Sequence, residues 1–336
     1  MPFTLHFGEA DLLRCRFALS PLWETHEAVR TLARPERHGY HLPWLRRLRG
    51  ALAADDGLDF TPLLLLMPRR GHNPDCLYPP PIGPAATFEE EIARVRTTDP
   101  ELARDDLARA LADAGTTDRP EARAMLADPA RALRELAALI ERAWRTLIAP
   151  DWPRLRALLE ADIAYHSRRL AEVGLEGLLR ELHPRLEWDG TSTLTLDNAS
   201  SHHRDLDGAG LVLMPSVFSW PDVVSGFDPP WQPTLVYPAR GIAGLWSTPS
   251  TRTPEALSRL LGRVRAEVLC ALDEPASTTA LAHRLGLAPS SVSAHLSVLR
   301  DADLLRSRRY GHQVLYERTP LGIALAAAQA ASPPRT

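Results

Sequence analysis

Residues 277–318 read STTALAHRLGLAPSSVSAHLSVLRDADLLRSRRYGHQVLYER, and the order of elements in them decides how the C-terminal part of the chain folds. Ser277 is a good helix N-cap, and the apolar positions after it carry a helix to Leu285. Gly286 supplies the left-handed residue on which helices commonly end. After the turn Gly286-Leu287-Ala288, Pro289 opens a second helix, because its fixed φ and missing N–H suit a first turn. Along that helix Val292, Leu296 and Leu299 recur at i, i+4 and i+7 and predict a buried stripe. Ser290, Ser291, Ser293, His295 and Ser297 fall largely on the other faces, and Arg300 lies near the end. Beyond Leu304 the pattern predicts a hairpin of 304–309 and 312–318 around Tyr310-Gly311, with Val314 and Tyr316 alternating in its second strand.

Outward from this core the signals continue. Thr253-Pro254 predicts the start of a helix to about Leu261, and a second helix covers about 262–272 with Val264, Val268 and Leu272 on one stripe. Asp273-Glu274-Pro275 ends it. Downstream, Pro320 opens an alanine-rich helix over 321–330. A helix bearing small hydroxyls and one imidazole is slim enough for a major groove and offers donors and acceptors to base edges. A two-stranded ribbon tipped by Arg306, Arg308, Arg309 and His312 is suited to phosphate or to the minor groove. The candidate DNA-binding residues are therefore Ser290, Ser291, Ser293, His295, Arg300, Arg306, Arg308, Arg309, Tyr310, Gly311 and His312. Charge agrees: residues 253–320 hold nine Arg against seven Asp and Glu, whereas the first 252 residues carry a net −6 of the chain's −3.

Three segments together, LLGRVRAEVLCAL (260–272), STTALAHRLGLAPSSVSAHLSVLRDADLL (277–305) and RSRRYGHQVLYERTPLG (306–322), resemble the ArsR/SmtB family of winged helix-turn-helix repressors. The resemblance implies a recognition helix carrying Ser293 and His295, a wing carrying Arg308 and Gly311, and a homodimer joined through its first and last helices. The preceding 240 residues resemble an N-terminal domain fused to some members. Departures are Ala288 in place of a Ser or Thr cap, Ala280 in place of Glu, and Asp303 where glycine is common after Ala302. Metal-sensing members carry Cys-x-Cys in the helix before the recognition helix. That helix here reads TTALAHRLG, and the last helix has no Asp/His pair, so no metal and no cofactor are expected.

A chain of 336 residues has room for two domains: residues 1–243, a Ser-, Thr- and Pro-rich linker at 244–252, and the winged module at 253–330. The expected class is α+β, mainly helical, with a helical N-terminal domain that includes a small sheet. Ser20-Pro21 predicts a helix to Ala33, Thr87 with Glu90 is a capping box, and Asp99-Pro100 and Asp128-Pro129 start two further helices. Leu133, Leu136, Ala137, Ile140 and Trp144 share one face of a helix over 129–148, and Asp151-Trp152-Pro153 starts another that breaks at Gly174. Asp189-Gly190 reads as a two-residue hairpin turn, 211–214 and 234–237 as strands, and 77–84 (LYPPPIGP) as an extended loop.

All 39 basic side chains are arginine, which reads as coding bias. Three separated cysteines argue against a disulfide framework, and no apolar run is long enough to cross a membrane. Without a basic start and apolar stretch a secretory signal is not expected, and a cytoplasmic protein is. No phosphate-binding glycine loop, Gly-x-Ser-x-Gly elbow or His-Glu-x-x-His pair occurs, so an enzyme is not expected. Cys270 reads as a small apolar core residue, His72 with Cys76 as too few ligands for a structural zinc, and 202–207 (HHRDLD) as a solvated loop. The tryptophans Trp144, Trp152, Trp188, Trp220, Trp231 and Trp246 are counted with the first domain, most of them as core. The expected partners are double-stranded DNA and a second copy of the chain. The N-terminal domain is read either as a sensor for a small-molecule effector or as a protein-interaction module tethered to DNA.

Overall fold

The computed structural model describes residues 3–34, 39–53, 58–68, 71–196, 203–246, 255–272, 276–310 and 313–327. The fold is α+β and mainly helical. The chain divides into two compact units: Met1–Ala33 with Ala51–Ala239, and Arg34–Gly50 with Arg240–Thr336.

In the first unit the predicted helix starts are formed by their caps. Thr87 Oγ1 accepts from the Glu90 N–H at 3.2 Å while Glu90 accepts from the Thr87 N–H at 2.9 Å, which satisfies two end donors reciprocally. Asp99 caps Pro100–Ala114 by accepting the Glu101 and Leu102 N–H groups, and Asp128 caps Pro129–Ala143 by accepting that of Arg131, neither with a reciprocal bond. Leu133, Leu136, Ala137 and Ile140 are buried together, but the α-helix stops at Ala143 and one π turn, Trp144–Ile148, follows. Trp144 is half-buried there and stacks on Phe88 with ring centroids 4.7 Å apart. Trp152–Leu182 kinks at Gly174, whose φ of +70° only glycine adopts without strain.

Two four-stranded sheets complete this unit. One runs in the order Leu186–Trp188, Thr193–Leu196, Phe3–His6, His203–Asp205. The other runs Arg16–Phe17, Val212–Ser216, Thr234–Pro238, Val224–Gly226, with its first three strands parallel. Leucines from both sheets, Leu5, Leu194, Leu213 and Leu235 among them, meet Leu178, Leu179 and Leu182 in one core.

Two expectations are corrected here. The hairpin at Asp189-Gly190 has four linking residues, because Asp189 Oδ1 accepts the N–H groups of Thr191, Ser192 and Thr193 and closes a wider loop. The described part of 202–207 includes a strand, His203–Asp205, paired in parallel with 4–6. As expected, the proline-rich stretch continues as a loop from Tyr78 to Pro84 after the 3-10 turn Asp75–Leu77, and it is buried as far as Pro81, where Arg16 donates to the Pro81 carbonyl at 2.6 Å.

The helix Pro21–Ala33 is buried along most of its length although it carries Glu24, Thr25, His26, Glu27 and Thr31. Glu24 accepts the Val217 N–H at 3.1 Å, and Glu91 accepts the Leu22 N–H at 2.9 Å at the start of this helix. Burial pushes both carboxyls up to about 8, and pushes His26 down to about 4.

In the second unit the helices Glu255–Leu261, Arg263–Ala271, Thr278–Leu285, Pro289–Asp301 and Pro320–Ala327 surround a three-stranded sheet of Leu305–Tyr310, Gln313–Arg318 and Ala276–Ser277. The core joins Leu257, Val268, Leu269, Leu281, Val292, Leu296, Leu299 and Leu305. The Gly39–His41 turn packs against the last helix, and Trp246 belongs to this unit, stacked on Trp44. Of the predicted linker, residues 244–245 finish the helix Ile242–Leu245, and 247–252 lie outside the described residues, as do Thr253-Pro254 and Asp273-Glu274-Pro275.

The buried carboxyls set a sign for stability. Above about pH 7 the native state keeps protons on Glu24 and Glu91 that an unfolded glutamate, ordinarily at 4.5, has lost, while His26 is largely neutral in both states. Stability should therefore fall from about pH 7 to about 8.5 in thermal melts, and Glu24→Gln should flatten that fall. A variant as pH-sensitive as the parent would contradict the buried, protonated assignment.

Candidate nucleic-acid interface

Ser277 Oγ accepts the Ala280 N–H at 3.2 Å and starts the first helix of the pair. Gly286 closes it with φ +65° and ψ +31°, and the Leu287 N–H reaches back to the Ala282 carbonyl at 3.0 Å. That left-handed residue redirects the chain into Pro289. Ala288 gives the next helix no side-chain cap. Removing such a cap typically costs about 1 kcal/mol. Burial of Val292, Leu296 and Leu299 fixes which face of Pro289–Asp301 turns inward.

Opposite that stripe the helix is open. Ser290, Ser293 and Arg300 are exposed, and Ser291, His295 and Ser297 are half-buried. Two apolar residues that the reading by polar character passed over, Ala294 and Val298, are exposed on the same helix. Their i, i+4 spacing was the available signal. Arg300 lies 3.3 Å from Asp301 in an exposed pair of the kind that contributes little.

The wing strands Leu305–Tyr310 and Gln313–Arg318 pair from Leu305↔Arg318 to Tyr310↔Gln313. Tyr310 is therefore a strand residue rather than part of the turn, because the register pairs Arg309 with Val314 and Tyr310 with Gln313, so that 311 and 312, not 310 and 311, separate the strands. Gly311 and His312 lie outside the described residues, and Arg308, Arg309 and Tyr310 are described by their backbone alone. Arg306 is exposed, but its guanidinium is held by Glu317, the residue directly across the ladder, whose carboxylate is buried. A cation so engaged orders the ribbon as much as it offers charge.

Other arginines of the unit are structural, which sequence spacing did not reveal. Arg318 donates to the carbonyls of Leu269 (2.7 Å) and Cys270 (2.6 Å), and Arg284 donates to that of Ala271 (2.5 Å). Two cations thus cover the C-terminal end of Arg263–Ala271, where unpaired carbonyls and the helix dipole favour positive charge. Cys270 is half-buried against the core, and burial raises its thiol.

As for metals, His72 is brought together with Asp75 and Asp228 rather than with Cys76. Among the described residues this is the group of three whose ligand atoms come within 4.8 Å of one another. Asp106 binds the His72 ring, and Arg109 lies 2.6 Å from both His72 Nδ1 and Asp228 Oδ2, so a guanidinium already serves the cluster as its cation. Burial, and next the neighbouring Asp106, push Asp75 up to about 7.

Residues 260–308 match a family described as a helix-turn-helix domain, and residues 84–243 match a family of unknown function (DUF5937). No curated protein and no solved structure matches the chain. The chain carries a helix-turn-helix DNA-binding domain of the kind found in transcription regulators. No helix among the described residues is long and apolar enough to cross a membrane.

The wing and last helix meet closely at Gly322. A Cβ built there would lie 2.1 Å from the Leu304 carbonyl oxygen, and the Gly322 N–H donates to Thr319 Oγ1 at 3.1 Å. Gly322→Ala should therefore destabilise this unit by about 1–3 kcal/mol in denaturant melts. An unchanged midpoint would mean that the last helix is not seated as described.

Proposed function

We propose that the protein is a repressor of the ArsR type, acting as a homodimer whose two recognition helices enter successive major grooves while the wings hold the flanks. The observation that carries this reading is the outward face of Pro289–Asp301, on which small hydroxyls, Ala294 and Val298 are exposed, with Arg300 as the one long side chain near its end. Ser290, Ser291, Ser293 and His295 are assigned to base edges or nearby phosphates, Ala294 and Val298 to thymine methyls, and Arg300 to phosphate. Arg308, Arg309, Tyr310, Gly311 and His312 are assigned to the wing's contact with the duplex, and Arg306 to its support and charge. The dimer is supported by exposed leucines on the first and last helices of the winged module, Leu260 at 67% and Leu321 at 54%. The protein is assigned to the cytoplasm, where its DNA lies.

The N-terminal unit is assigned the role of sensor. It has its own core and an interior helix rich in polar groups, of which His26 Nε2 and Thr31 Oγ1 make no hydrogen bond. A small molecule binding one arrangement of this unit better than another would shift the DNA-competent population.

Three variants test the reading. His295→Ala should change the preferred bases in a selection from random duplexes while leaving affinity for non-specific DNA within about twofold; an unchanged profile removes His295 from the readout. Arg308→Ala should weaken binding to all sequences and lower the slope of log affinity against log salt by about 1; normal binding with an unchanged slope removes Arg308 from the wing contact. Leu260→Glu should convert a dimer to a monomer in sedimentation analysis, whereas an undisturbed dimer would put the interface elsewhere.

A further inference from the structure

We propose that His72, Asp75 and Asp228 form a binding site for a divalent ion of the zinc type, with Asp106 orienting the imidazole and Arg109 standing in the ion's place. All five residues belong to the first unit, and the inference does not rest on the DNA-binding reading.

The stretch 71–76 (GHNPDC) has too few ligands by itself, and the fold brings the others to it. The helix Pro100–Ala114 holds the stretch near both ends. Asp113 Oδ2 accepts the His72 N–H at 2.7 Å, and Asp106 Oδ2 accepts the Cys76 N–H at 2.7 Å. Asp75 Oδ2 accepts the Asp228 N–H at 2.8 Å and so ties in the loop that follows Val224–Gly226. The ligand atoms of His72, Asp75 and Asp228 lie within 4.8 Å of one another. In a tetrahedral shell with bonds of about 2.1 Å, ligand atoms stand roughly 3.4 Å apart, which leaves little for side-chain rotation to close.

The hydrogen bonds fix what His72 presents. Arg109 Nη2 lies 2.6 Å from His72 Nδ1 and 3.0 Å from Nε2. A guanidinium only donates, so the nearer ring nitrogen, Nδ1, offers its lone pair to a cation. Nε2 then carries the proton and gives it to Asp106 Oδ1. Carboxylate, imidazole and cation in that order is how metal-ligating histidines are held. The same Nη2 lies 2.6 Å from Asp228 Oδ2. One nitrogen thus sits between an imidazole lone pair and a carboxylate oxygen, where an ion would make two of its bonds.

The plainer reading is an ion-pair network complete in itself, and its charges do not balance. Asp75, Asp106 and Asp228 supply three negative charges. Arg109 and Arg204, whose guanidinium interacts with Asp75 and Asp228, supply two positive ones. A divalent ion in place of Arg109 makes three against three. Arg109 is replaceable: its side chain is 49% exposed, and an exposed pair of this kind holds weakly. One imidazole with two carboxylates suits Zn²⁺, whereas Mg²⁺ and Ca²⁺ take oxygen ligands.

The test is calorimetric titration of the EDTA-treated full chain with ZnCl₂, and with MgCl₂ as control, beside thermal melts. The parent should take up a single equivalent of Zn²⁺ and bind Mg²⁺ far more weakly. His72→Ala should abolish uptake, and Asp106→Asn should weaken it by about 10–100-fold. Arg109→Ala should bind Zn²⁺ more tightly than the parent, because a competing cation has gone. No stoichiometric uptake by parent or Arg109→Ala overturns the inference, as does parental affinity in His72→Ala or no gain in Arg109→Ala. If His72→Ala does not fold, Asp228→Asn takes its place and must weaken binding, or the inference falls.

Discussion

The turn at Gly286 is the constraint from which the outward face of Pro289–Asp301 follows. A left-handed residue there ends Thr278–Leu285 and sets the angle at which Pro289–Asp301 departs. Burial of Val292, Leu296 and Leu299 then leaves one rotation for the second helix, because turning it would expose three large apolar side chains at about 1.5–3 kcal/mol each. The face that remains outside is therefore determined by what must be inside. Its exposed residues are mostly small, and His295 lies half-buried among them.

Electrostatics divides the molecule more sharply than its residue order suggests. The unit that holds the helix pair is strongly basic and the other strongly acidic, a contrast of +9 against −12. Within the basic unit the arginines differ in what they do. Arg284 and Arg318 cover a helix end, and Arg306 is paired with Glu317. Arg46, Arg47 and Arg300 are exposed. Counting arginines thus overstates the charge offered by the winged module and understates that of the folded unit.

Much of this was legible from local signals. Caps and breakers act over four or five residues, so Thr87, Asp99, Asp128, Ser277 and Gly286 announced their helices, and the 3.6-residue period found the stripe of Pro289–Asp301. Features made by distant partners were not legible. Phe3–His6 is too short for its alternation to stand out, and its pairing with 193–196 depends on residues nearly two hundred positions away. The two-residue strand Ala276–Ser277 has no period at all and is recognised only by its partner, Tyr316 opposite Ala276. The place of Trp44 beside Trp246 had no local signal either. At the interface, polarity pointed to the serines and His295 but passed over Ala294 and Val298, because small apolar residues look like core until the burial of their neighbours is known.

The central claim is that the open face of Pro289–Asp301 reads base edges in the major groove. Methylation interference on a duplex selected by the purified full chain tests it most directly. The account predicts that methylation of guanine N7, which projects into the major groove, blocks binding in two half-sites about one helical turn apart, whereas adenine N3 methylation in the minor groove does so only at the flanks. Interference confined to the minor groove, or a selection that enriches no sequence at all, would contradict it.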